Sequence, residues 1–234
     1  MMILETFLAA VVLASAHLFG GHLRVRAIPR RAWLSAAGGV GVAYVFVHLL
    51  PEVAEGEAEL SGWVEGPFPM VWLVALSGLV AFYGIEHLVR RPRPRAFLAE
   101  MPTFWSHIGI FSAYNILIGF LLPHWEEEEG IRGLVTYTIA MGLHFLVMDH
   151  ALRRAHRRIY HRVGRWILAA ALFGGWALGV VFHLPGPWEH ALVAFLGGAI
   201  ILNTLKEELP EEADGRFLPF LVGAAGYAAL LHIA

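Results

Sequence analysis

The chain of 234 residues contains no cysteine. A disulfide framework and a thiolate metal site are therefore excluded, and the redox compartment cannot be read from it. Charge is also scarce: Asp, Glu, Lys and Arg make up 15% of the residues, against 58% hydrophobic, and the mean hydropathy is +0.61. No linker, low-complexity tract or coiled-coil heptad is present. No phosphate-binding glycine loop, nucleophile elbow or nucleic-acid motif is present either.

What charge there is sits in a pattern. The basic residues gather in three stretches between apolar runs: Arg24, Arg26, Arg30 and Arg31; Arg90, Arg91, Arg93 and Arg95; then Arg153, Arg154, Arg157, Arg158, Arg162 and Arg165. The alternating stretches are acidic, with Glu52, Glu55, Glu57, Glu59 and Glu65, then Glu126 to Glu129, then Glu189, and Arg132 as their single basic residue. Positive connections stay in the cytoplasm, so this alternation predicts a polytopic membrane protein with its acidic connections outside.

A helix needs roughly 20 apolar residues to cross the hydrocarbon layer. Eight such runs are expected, at about 2–21, 33–53, 68–89, 102–123, 133–152, 164–183, 188–206 and 217–233, which leave no room for a soluble domain. The Ala14-Ser15-Ala16 stretch imitates a signal-peptidase site, but Glu5 stands where a basic n-region belongs and the arginines follow the first run. The expectation is an inner-membrane protein, all-α, with both termini outside. The stretch between the last two runs carries Lys206 and Arg216 among acidic residues, and the three arginine stretches decide its side.

One internal echo joins two runs. Residues 48–52 read His-Leu-Leu-Pro-Glu and residues 207–211 read Glu-Glu-Leu-Pro-Glu. On eight spans these segments run in opposite directions, as inverted repeats of transporters do; equally, Leu-Pro-Glu is a simple helix stop.

The His-Leu-Leu-Pro-Glu ending of span 2, the Leu-Pro-Glu ending of span 7, the eight runs and the external termini resemble the ZIP family of divalent metal transporters. The resemblance implies a 3+2+3 inverted-repeat bundle in one transmembrane domain, 1–234. Spans 1–3 (about 2–89) and 6–8 (about 164–233) would be the repeats, and spans 4 and 5 (about 102–152) would carry the metal. It implies transport of zinc, iron or manganese toward the cytoplasm, zinc foremost, with no prosthetic group, the lipid bilayer as surroundings and a homodimer as a possible assembly. The span 4 motif falls on Tyr114-Asn115-Ile116-Leu117-Ile118-Gly119, where the asparagine and glycine of the family pattern remain. The span 5 motif falls on His144-Phe145-Leu146-Val147-Met148-Asp149, where the first histidine and last carboxylate remain.

The candidate metal residues are thus Asn115, His144, Met148 and Asp149, with His48 and Glu52 toward the outer end. His144 lies near the middle of its run without a charged neighbour in sequence, and an ionisable group at that depth suggests function. Asp149 stands four residues before Arg153, so a helical ion pair accounts for it equally well; Glu86 and Arg90 share that spacing. Two other functions stay open: an intramembrane zinc hydrolase of the alkaline-ceramidase kind, drawing on the scattered histidines, Ser106 and Asp149, and a non-transporting regulatory relative.

Overall fold

A computed structural model describes residues 2–21, 29–62, 68–89, 96–208 and 216–233. Leu209, Pro210 and Glu211 of the echo lie outside these, as do Arg24, Arg26 and Arg90 to Arg95. The described residues are helical apart from short turns and connections, with no strand among them.

In chain order the helices are α1 (Met2–Phe19), α2 (Arg30–Tyr44), α3 (Leu50–Glu55), α4 (Glu57–Ser61), α5 (Met70–Val89), α6 (Ala96–Phe120), α7 (Leu122–Ala155), α8 (Arg157–Ile159), α9 (Arg165–Val181), α10 (Gly186–Asn203) and α11 (Phe217–Ile233). Three π-helical segments, Val45–Leu49, Tyr160–Gly164 and Thr204–Glu208, join or extend them. Among the described residues, seven helices are long and apolar enough to cross a membrane: 2–19, 31–61, 70–88, 101–125, 127–155, 160–181 and 186–206. The eighth apolar helix, α11, has 17 residues, about 25 Å at 1.5 Å per residue against a hydrocarbon layer of roughly 30 Å. Large apolar side chains such as Ile3, Leu8, Phe46, Val80 and Phe217 point outward, as expected of helices bathed in lipid rather than water.

Four helix pairs dominate the packing: α2 with α11, α5 with α10, α6 with α9, and α1 with α7. Without a hydrophobic drive between helices in lipid, close approach depends on small residues, and three of the pairs are built on glycine. A Cβ on Gly39 would stand 2.1 Å from the Phe220 carbonyl oxygen, and one on Gly223 2.0 Å from that of Ala36. In the α5–α10 pair, Gly78 meets the Phe195 oxygen at 1.9 Å and Gly198 that of Ala75 at 1.8 Å. A Cβ on Gly175 or Gly179, a Gly-x-x-x-Gly pair, would stand 2.1 or 2.3 Å from the Ile116 or Phe120 carbonyl oxygen. In the α6–α9 pair the contact positions rise together, so those two helices run parallel.

Pro51 does not end its helix. It has no N–H for the Val47 carbonyl, and the preceding turn widens instead: the Leu50 N–H bonds back five residues to the Val45 oxygen, the π spacing. Helix α7 is broken once, at Gly130, whose φ of 68° only glycine adopts readily. The break separates a short arm, 122–129, from the long apolar part.

Polar groups also fasten the bundle. Trp176 Nε1 donates to Thr6 Oγ1 (3.0 Å), tying α9 to α1, and the Tyr227 hydroxyl donates to the Thr136 oxygen (2.7 Å), tying α11 to α7. The Glu57 carboxylate accepts the Met70 and Val71 N–H groups (3.1 and 2.8 Å) and so caps α5 from a distance.

Candidate functional site

Two polar clusters lie at opposite ends of α7. Eighteen residues separate Ile131, beside the break, from Asp149, a rise of about 27 Å, close to the thickness of a hydrocarbon layer.

The first cluster is buried near the arginine-rich end. Asp149 is fully buried and His17 nearly so. His17 Nδ1 lies 2.9 Å from Asp149 Oδ1, and its Nε2 lies 2.8 Å from Asn115 Oδ1. Asn115 Nδ2 donates to the Phe111 carbonyl at 2.8 Å, which turns the amide oxygen toward the ring. The Tyr160 hydroxyl donates to Asp149 Oδ1, while Asp149 Oδ2 has no hydrogen-bond partner and sees Arg153 Nη2 at 3.8 Å. A void of about 10 Å³ opens between these groups, lined also by Tyr114, Phe145 and Met148. That is room for roughly one water or one small ion.

Asn115, Met148 and Asp149, three of the expected residues, thus face one void. The imidazole bonded to the amide is not His144 of the fifth span, however, but His17 of the first. His144 is buried too, with Nε2 2.9 Å from the Tyr114 hydroxyl, one helical turn or more toward the bundle centre. Asp149 keeps the Arg153 contact that the four-residue spacing suggests, at long range. Glu86 of α5 pairs with Lys206 of the π segment that follows α10. His107 and His156 face each other at 2.9 Å, and Ser106 donates to the Pro102 carbonyl at 2.9 Å.

The second cluster is at the acidic end. His48, in the first π segment, has Nε2 3.3 Å from Glu129 Oε1 on the short arm of α7. His124, on the same arm, sits between two carboxylates: Nδ1 lies 3.2 Å from Glu189 Oε1 of α10 and Nε2 lies 4.0 Å from Glu52 Oε1 of α3. The His190 ring stands edge-on to His124, 6.2 Å between centroids. No three His, Asp or Glu side chains among the described residues are gathered tightly enough to grip an ion as they stand. A cavity of about 350 Å³ opens beside His48 and Glu129, bounded also by Arg132 and His232. His48 and Glu52 were expected at this end; His124, Glu129 and Glu189 had no distinguishing mark beyond belonging to acidic connections.

An aromatic layer separates the clusters. Trp125 stacks on Tyr137 (5.0 Å, 25°), Tyr44 meets Tyr137 edge-on (6.2 Å, 65°), and His48 rests against Trp125 (5.2 Å). Tyr44, Tyr137 and Trp125 are each at most 1% exposed, so the layer is closed.

Apolar helices of spanning length with ionisable groups held inside the bundle define a polytopic α-helical membrane protein. No protein-family model matches the chain, and no curated protein matches it.

Proposed function

We propose that the protein is a ZIP-like permease that carries a divalent transition-metal ion, zinc foremost, from the acidic end toward the arginine-rich end, through an eight-span bundle of two inverted halves. The observation that carries this reading is a numerical exchange among its closest contacts. Adding 159 to Ala36 and Gly39 of α2 gives Phe195 and Gly198 of α10; adding 145 to Ala75 and Gly78 of α5 gives Phe220 and Gly223 of α11. Under those two shifts the α2–α11 contacts become the α5–α10 contacts and the reverse. The shift of 159 also carries the π segment Val45–Leu49 onto Thr204–Glu208, each directly before a Leu-Pro-Glu. Two helices that share register and a widened turn, and whose partners α11 and α5 correspond under the second shift, are, when they run oppositely, what an inverted repeat requires.

The remaining pairs, α1 with α7 and α6 with α9, would be exchanged by the same operation and enclose His17, Asn115 and Asp149. In this reading the buried void seats the ion, with the unpartnered Asp149 Oδ2 as its ligand and His17, Asn115 and Met148 beside it. The aromatic layer is the closed barrier between seat and mouth, and access alternates as the halves rock.

Uptake of Zn²⁺ into proteoliposomes holding an internal zinc dye tests the reading. Zinc is expected to enter, and Asp149→Asn, which keeps volume and hydrogen bonding, is expected to slow it at least tenfold. Vesicles that admit neither Zn²⁺, Mn²⁺ nor Fe²⁺ above protein-free controls would refute it.

A further inference from the structure

His124 has opposite surroundings at its two nitrogens. Its side chain is 2% exposed. On one side, Nδ1 donates to Glu189. In the neutral ring that bond places the proton on Nδ1 and leaves a lone pair on Nε2. On the other side, Nε2 is buried with no hydrogen-bond partner and has the Glu52 carboxylate ahead of it at 4.0 Å. A carboxylate behind an imidazole and a bare nitrogen in front is the arrangement in which metal-binding histidines are held, because the rear partner fixes the tautomer and raises the basicity of the ligating nitrogen.

The spacing has the same sense. Two donors about 2.0–2.1 Å from one tetrahedral ion are about 3.3–3.4 Å apart. His48 Nε2 and Glu129 Oε1 stand at 3.3 Å, yet His48 Nε2 counts as a buried nitrogen without a hydrogen bond. The two atoms are neighbours without being donor and acceptor, as co-ligands are. His190 Nδ1 is a third buried ring nitrogen without a partner. An unpartnered nitrogen buried away from water costs about 1–3 kcal/mol, and three at one end of a bundle ask for a common occupant.

We infer that the acidic end holds a capture site for a divalent transition metal, in which His124 Nε2 and Glu52 are ligands, Glu189 is the positioning residue behind His124, and the His48–Glu129 pair and His190 are the next donors inward and beside it. Imidazole with carboxylate selects zinc or a neighbouring transition ion over calcium and magnesium, which take oxygen donors. The inference deepens the permease reading, since it supplies the ion with its first stop, about a bilayer core from the buried seat.

The test is Zn²⁺ titration calorimetry on the purified full chain in detergent. A binding event is expected that His124→Ala and Glu52→Gln each weaken at least tenfold, and that Glu189→Gln weakens about 10- to 100-fold as rear-partner loss does. Ca²⁺ at equal concentration should not compete. Should His124→Ala fail to fold, His124→Gln takes its place, together with anomalous scattering from zinc-soaked crystals, where a peak between His124 and Glu52 is expected. Wild-type zinc affinity in both ligand variants, or a zinc peak only elsewhere, overturns the site. Binding that depends on His124 without vesicle uptake sinks the permease and leaves the site, whereas uptake with unaltered binding in the variants sinks the site and leaves the permease.

Discussion

His17 illustrates how much a single buried side chain holds together here. It bridges α1, α6 and α7 through Asn115 and Asp149, and removing it leaves a buried carboxylate with Tyr160 and a distant Arg153. His17→Ala is expected to cost about 2–4 kcal/mol, the usual consequence of stranding one partner of a buried polar pair, read from SDS-induced unfolding in mixed micelles. Tyr114→Phe, which removes one neutral partner from His144, should cost only about 1 kcal/mol in the same assay. At this scale the sequence was legible where chemistry is local. The Asp149–Arg153 spacing and the depth of His144 could be read directly. The role of His17 could not, because its partners are 98 and 132 residues away and no periodicity connects them. His124 was hidden likewise: its partners come from α3 and α10.

The helices follow the hydropathy runs in their apolar parts and depart from them where backbone chemistry overrides side-chain polarity. The fifth run was expected from 133, and the long apolar part of α7 starts close by, just past the break at Gly130; the arm 122–129 ahead of it is helical too, because Glu126 to Glu129 are polar but good helix formers. The second run was expected to stop near Pro51, and continues to Ser61 because the widened turn absorbs the missing N–H. The glycine contacts make a sharp prediction. Gly39→Ala and Gly198→Ala should each destabilise by 2 kcal/mol or more, roughly the cost of overpacking, since the new methyl would lie within 2.1 Å of a carbonyl oxygen in both. Gly174→Ala, with nothing within 4 Å, should instead stabilise by about 0.5–1 kcal/mol through helix propensity. Equal losses at residues 39 and 198 are the energetic counterpart of their matching contacts.

For the molecule as a whole, the alternation of charge speaks to orientation and the apolar runs to a membrane protein, but neither reveals which helix touches which. Those pairings rest on a handful of glycines that hydropathy cannot weigh. The lack of cysteine offers a direct test of sidedness. In sealed right-side-out membrane vesicles, Glu59→Cys should react with an impermeant maleimide and Arg158→Cys should not, and the pattern should reverse in inverted vesicles; labelling of both from one side would contradict the charge map. The π segments have a consequence for the history of such chains. Each fits one residue more into a turn than an α-helix does, so loss of a single residue within 45–49 or 204–208 would tighten the turn while leaving the faces above and below it in place. Length variation among descendants of this protein should therefore collect at those two short segments, and a one-residue deletion engineered there should still yield an inserted, folded chain, whereas the same deletion a turn away would rotate the remaining helix by about 100° and scramble its contacts.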